Sequence, residues 1–215
     1  MRKFILFIFL CFYSICGNSQ TGIKVIFETR RVITEESVKS IPAQLRADFV
    51  KQYNSIKKES SMYLQEGKVF FEVQAAEVKN SKLGKLDSNE TEGKVLLAKE
   101  MSTIVTYAAE KLIKDPKYNS YTERKPAGLV TKKLVIAKWQ LTKKTKKILG
   151  YTCYEAVTTF NNKVLTVYYT RQLRATGSPD KLPFIDGVVL AYTYGIVDAT
   201  AVKIALKQPL ITKFL

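Results

Sequence analysis

The sequence predicts a mostly β domain: a curved antiparallel sheet or an open barrel, with one helix packed on it. Three observations carry this. Apolar residues recur at every second position through most of the chain, and a single segment shows three- and four-residue spacing. Two β runs also flank Asn161-Asn162, a pair of residues that tolerate left-handed backbone. A two-sheet sandwich satisfies the same pattern and stays open as the alternative.

The chain of 215 residues begins with Arg2 and Lys3, an apolar run over residues 4–13, and the short stretch Cys16-Gly17-Asn18-Ser19. This order is that of a secretory signal peptide, removed before Gln20. The run is too short to cross a bilayer, which needs about 20 residues. A lipoprotein anchored through Cys16 would want a small residue at position 15, where Ile15 stands. The expected organisation is a signal over 1–19 and a single β-rich domain over 20–215, exported to the periplasm or the outer-membrane periphery.

Residues 1–19 hold two basic and no acidic side chains, so the formal charge falls from +16 to +14 on their removal. The basic residues of the remainder are nearly all lysine; its arginines are Arg30, Arg31, Arg46, Arg124, Arg171 and Arg174. Lysine is a hydrated point charge without the planar fork that reads bases, so weak polyanion contact is expected and specific nucleic-acid readout is not. The chain contains no histidine. Ser-His-Asp and Cys-His nucleophiles, His-ligated zinc and imidazole bases are therefore excluded together. Cys153 is the one cysteine after residue 19, and no internal disulfide can form.

Along the chain, Ile23, Val25 and Phe27 alternate as one strand. Leu45, Phe49, Val50, Tyr53 and Ile56 define a helix over residues 43–58, with Ser40 as its cap and Pro42 near its start. Residues 62–73 form a hairpin about Glu66-Gly67. Residues 77–93 are polar and read as a surface loop; residues 94–111 fit a helix through Val95, Leu96, Ala98, Met101 and Val105 or strands through 102–107, with strands preferred; residues 115–128, with two prolines, read as a second loop. A strand over 134–141 then leads to a lysine tip at Lys143, Lys144, Lys146 and Lys147, with a return strand from Ile148.

The Asn161-Asn162 turn fixes a register: Tyr154 faces Tyr169, Ala156 faces Val167, Thr158 faces Leu165 and Phe160 faces Lys163. That face is the core face. The opposite face is mixed, pairing Cys153 with Thr170 and Glu155 with Tyr168, and offers a binding surface of Trp139, Tyr151, Cys153 and Tyr168.

Trp139, Lys146, Ile148, Gly150, Tyr151 and Cys153 stand at the spacing W-x6-K-x-I-x-G-Y-x-C, followed by Val167-Tyr168-Tyr169-Thr170, Gly177, Pro179 and Gly187-Val188-Val189-Leu190. In this the chain resembles the GLPGLI family, exported proteins of Bacteroidota named for a late Gly-Leu-Pro-Gly-Leu-Ile motif. It departs from that pattern at Phe184-Ile185-Asp186-Gly187-Val188-Val189, at Glu155 and at Tyr168. The resemblance implies export and a β fold, and it implies no reaction.

The function expected on these grounds is a non-enzymatic cell-envelope binding or scaffold protein, its partner an envelope protein, a peptide or an amphiphile. A basic binder of anionic polymer or membrane surface is the alternative. A hydrolase working on carboxylates alone, with Glu155 and Asp186, comes third. No catalytic residue, metal or cofactor is assigned.

Overall fold

The computed structural model describes residues 22–74, 76–79, 104–107 and 109–215. In chain order they form β1 (Gly22–Arg31), α1 (Ala43–Ser55), β2 (Lys57–Gln65), β3 (Lys68–Val73), β4 (Ala76–Lys79), β5 (Ile104–Tyr107), β6 (Glu110–Asp115) and β7 (Ser120–Lys125). There follow β8 (Gly128–Lys133), β9 (Gln140–Ile148), β10 (Tyr151–Phe160), β11 (Lys163–Thr170), β12 (Val188–Tyr194) and β13 (Val197–Gln208). Eleven strands make one sheet in the order β8-β7-β6-β3-β2-β1-β13-β12-β11-β10-β9, and β4 pairs with β5 in a separate two-stranded sheet. Neighbouring strands are antiparallel throughout.

The connectivity dictates the curvature. β8 and β9 are the two edges of the sheet and are consecutive in the chain. From Lys133 to Gln140 an extended chain reaches at most about 25 Å, whereas eleven strands laid flat at about 4.8 Å spacing would hold the edges about 48 Å apart. The sheet therefore curls until its edges approach, and the single-sheet form is the one adopted.

Of the five two-residue turns that join paired strands among the described residues, three bear on the expected registers. Asn161 (φ 46°) and Asn162 (φ 61°) join β10 to β11, and the pairing runs as the turn chemistry predicts, Tyr154 against Tyr169 through Phe160 against Lys163. Glu66 and Gly67 join β2 to β3, also with positive φ. Leu149 (φ 50°) and Gly150 (φ 86°) join β9 to β10. This third turn corrects the expected lysine tip: Lys143, Lys144, Lys146 and Lys147 lie along β9, exposed on the sheet's edge. Lysines there discourage pairing with another chain's edge. The strand expected over 134–141 is likewise displaced, since residues 134–139 are irregular and β9 begins at Gln140.

The polar stretch 115–128 contains β7, whose inward residues are Tyr121 and Glu123, paired with Lys114 and Leu112, while Ser120 is buried on the opposite face. A strand with a carboxylate on its inner face has no apolar alternation to announce it. Residues 76–79, assigned in part to a surface loop by composition, form β4 against β5. Strands expected within 94–111 are present over 104–107 and from Glu110. The remainder of both segments, and the signal segment 1–19, lie outside the described residues.

α1 starts at Ala43 with Pro42 in the cap position and no side-chain cap. It ends at Ser55 because Ile56 turns extended (ψ 120°), handing the chain to β2. None of its residues is buried. Asn54 ties it to the loop after β1, accepting from Ile33 N at 2.8 Å and donating to Ile33 O at 3.0 Å.

Val25 and Phe27 of β1, Met62 and Leu64 of β2, Val69 and Phe71 of β3 and Leu112 of β6 form one buried cluster, which Cys153 joins at 0% exposure. Ala156, Phe160, Leu165, Val167 and Tyr169 of the β10–β11 hairpin form a second with Val189, Tyr192 and Ala199. The irregular segment 171–187, between β11 and β12, enters both: Leu173 belongs to the first, Leu182 and Ile185 to the second. This segment is a plug in the curled sheet.

Candidate functional site

β6 carries Leu112 and Lys114 on its inward face, so strand parity alone drives a lysine into the apolar interior at 0% exposure. Its ammonium donates to Ser178 O, Ser178 Oγ and Leu182 O, each at 2.7 Å, and lies 4.6 Å from the centre of the Phe184 ring. Three acceptors match the three N–H groups of a charged lysine. Burial pushes the amine down to about 7, and the Asp180 carboxylate opposes that descent. Ser178 Oγ donates onward to Leu182 O at 3.0 Å, so one side chain from β6 fixes the bend of the plug.

The next residues of the plug extend the network. Lys181 bridges Glu110 (2.8 Å) and Glu123 (2.9 Å), joining the plug to β6 and β7. Partial burial works against its charge, but the two carboxylates hold it above the ordinary lysine range. Glu123, its side chain 6% exposed, is bound also by Lys125 at 3.3 Å. Its bond from Lys181, ahead of that from Lys125, keeps its carboxyl below the usual range. Asp180 is pushed up, first by burial and then by the Glu110 charge. Lys58 is lowered by burial with Asp180 opposing, and the Tyr192 hydroxyl is raised by burial and by Asp180. Such a concentration of perturbed groups marks a candidate site.

The neck of the plug is closed by backbone. Gly177 N donates to Gly187 O (3.0 Å) and Val189 N to Gly177 O (2.9 Å). Gly187 has φ +143°, and a Cβ there would lie 2.7 Å from Thr170 O and 2.9 Å from Tyr169 Cδ2. Glycine is required at this point.

The four residues expected to line a groove fall into two groups. Cys153 is in the first core cluster with Tyr151 and Tyr168 packed against it, whereas Trp139 packs on the second. Trp139 serves the plug, its Nε1 donating to Phe184 O at 2.8 Å. Burial raises the Cys153 thiol to about 11. Glu155 and Asp186 have separate partners. Glu155 accepts from Tyr168 Oη (2.6 Å) and Thr142 Oγ1 (3.0 Å), with Lys144 at 3.4 Å, and the Tyr168 bond leads in lowering its pKa. Asp186 pairs with Arg171 at 3.0 Å on the surface.

Sequence reasoning missed Lys114, Asp180, Lys181, Glu110 and Glu123. The available signal was Lys114 at the inward parity of Leu112, together with Gly177, Pro179, Pro183 and Gly187 crowding one short stretch. Among the described residues no three of His, Cys, Asp and Glu are grouped to hold a metal. Chemically the network is a lattice of opposite charges and hydrogen bonds that pins an irregular segment inside a sheet.

Two crystal forms of PNGF-II share this fold. The C2 form superposes with a TM-score of 0.55 at 16% identity, covering 89% of this chain and 28% of PNGF-II. The P21 form gives 0.54 at 17%, covering 89% and 29%. The chain thus spans less than a third of the length of the structures it matches, and at this identity the likeness is one of fold. No curated protein matches the sequence. The family described as "N-glycanase peptide, N-terminal domain" matches residues 88–213, more than half of the chain. This overturns the GLPGLI resemblance, whose residues meet requirements of the fold: Gly150 makes a turn, Trp139 holds the plug and Gly187 closes its neck. It also overturns the expected functions, the envelope scaffold, the polyanion binder and the carboxylate hydrolase alike. The chain belongs to the PNGase F-II N-terminal domain family.

Proposed function

We propose that this chain is an accessory domain of N-glycan release, recognising the glycosylated substrate while the bond is cleaved elsewhere. The observation that carries the reading is the family membership over residues 88–213. The fold likeness to a protein more than three times as long supports it, because a part of that size leaves the rest of the enzyme to do chemistry. The internal charges support it too: Lys114, Lys181, Glu110 and Glu123 are engaged in holding the plug. Export belongs to the same reading, with residues 1–19 removed and Gln20 first, because charge, apolar length and small residues agree there. N-terminal sequencing of the secreted protein checks that part, and an intact Met1 contradicts it.

The test of the main reading is to incubate the processed protein with a complex-type N-glycopeptide and with the same peptide unglycosylated. The expected result is retention of the glycopeptide alone, with its asparagine unchanged by mass spectrometry. Conversion of that asparagine to aspartate with glycan release would make the chain an enzyme. Equal retention of both peptides would remove glycan recognition.

A further inference from the structure

The arginines divide by what they touch. Arg30 pairs with Asp198, Arg46 donates to the carbonyls of Lys39 and Ile41, Arg171 pairs with Asp186, and Arg31 is also engaged. Arg124 and Arg174 have no side-chain partner among the described residues, and each lines an open hollow. Beside Arg124 stand the cations Lys111 and Lys125 and two carboxylates, Glu110 and Glu123, which are held by Lys181. Beside Arg174 stand Lys68 and Lys207, with Glu66 as the single carboxylate.

The Arg174 hollow has a volume of about 470 Å³, within the range of small-molecule sites. Its apolar lining comes from Ile23, Leu64, Leu173 and Ala175. Three of its charged residues, Glu66 (φ 50°), Arg174 (φ 48°) and Lys207 (φ 54°), hold left-handed backbone that ordinarily falls to glycine or asparagine. Each such residue costs about 1 kcal/mol or more, and they meet at one hollow where three cations face one anion.

We propose that this hollow is the subsite for an acidic sugar, a carboxylated pyranose of the sialic acid kind at the end of an N-glycan; the assignment rests on the glycan-recognising role proposed above. A planar guanidinium without a partner binds a carboxylate through two parallel hydrogen bonds. Lys68 and Lys207 add charge, the apolar lining takes the C–H face of the ring, and the Glu66 carboxylate and Thr176 hydroxyl accept from sugar hydroxyls. A free phosphate would use the cations and leave the apolar lining bare.

The experiment measures binding of the processed protein to a sialylated N-glycopeptide and to its desialylated form, for the native chain and for Arg174→Gln and Lys207→Gln. Melting curves verify that each variant is folded, and Arg174→Gly, which relieves the left-handed backbone, replaces Arg174→Gln if that one is not. The native chain should prefer the sialylated form by about tenfold. Arg174→Gln should abolish the preference, Lys207→Gln should reduce it, and added salt should weaken it. Equal binding of the two glycopeptides, unmoved by Arg174→Gln, overturns the acidic-sugar subsite and leaves the glycan-recognising role intact. Failure to bind either glycopeptide overturns both. Competition by inorganic phosphate as strong as by free sialic acid overturns the sugar assignment in favour of a simple anion site.

Discussion

Helix α1 and the plug segment 171–187 invert the usual relation between regularity and integration. The helix is the one long regular element outside the sheets among the described residues, yet none of its side chains is buried. The plug has almost no repeating structure, yet it carries Leu173, Leu182 and Ile185 into both core clusters and puts Ser178 at 0% exposure. The reason lies in the backbone. A helix satisfies its own N–H and C=O groups and is free to lie on a surface. An irregular segment inside a protein must find each partner elsewhere, so the plug requires Lys114, Trp139 and the glycine neck. Irregular backbone indoors is therefore the more constrained of the two.

The largest way to break this contrast is Gly187→Ala, which forces a Cβ against Thr170 O at a left-handed φ. It should destabilise the protein by about 3 kcal/mol or more, seen as a lower denaturant midpoint. Lys114→Met keeps the volume but strips donors from Ser178 O and Leu182 O; about 2 kcal/mol should be lost in the same assay. Ala47→Gly, on the exposed side of α1, should cost only about 1 kcal/mol, the intrinsic helix penalty. If Ala47→Gly proves the most damaging of the three, the contrast is reversed.

How much of this was legible follows from the same distinction. Periodicity and turn chemistry are local, so the β10–β11 register, the Glu66-Gly67 turn, α1 and a β fold with one helix could be read from the residues. The plug is held by pairs 64 and 68 residues apart, Lys114 with Ser178 and with Leu182, and no spacing rule announces such pairs. β7 was hidden because its inward residues serve that lattice, and the β9 lysines looked like a tip because an edge strand tolerates charge as a turn does. The true turn, Leu149-Gly150, was overlooked because leucine seldom takes positive φ. Trp139 was expected on a binding surface, whereas its indole N–H donates to the plug's own backbone.

Smaller effects sharpen the contrast. Glu123 has a folded pKa below its unfolded value. The stability it contributes is therefore present above the unfolded carboxylate range, near pH 4.5, and is lost as pH falls through the lowered folded value. Glu123→Gln should flatten the acid limb of a stability-versus-pH curve, and an unchanged limb would show that Lys181 does not hold the plug through this carboxylate. Cys153, buried and raised to about 11, is a space-filling thiol. A thiol reagent at pH 8 should label the folded protein slowly and the unfolded chain at once; fast native labelling would mean that the first cluster opens locally.

Amide hydrogen exchange tests the central claim, that the plug is core and the helix is appendage. The Gly177 and Val189 amides, which close the neck of the plug, should exchange as slowly as that of Phe27 in β1, through global unfolding alone. Amides within α1, such as that of Val50, should exchange about a hundredfold faster, through local opening. Neck amides that exchange as fast as the helix, or a helix protected to the global limit, would contradict the account.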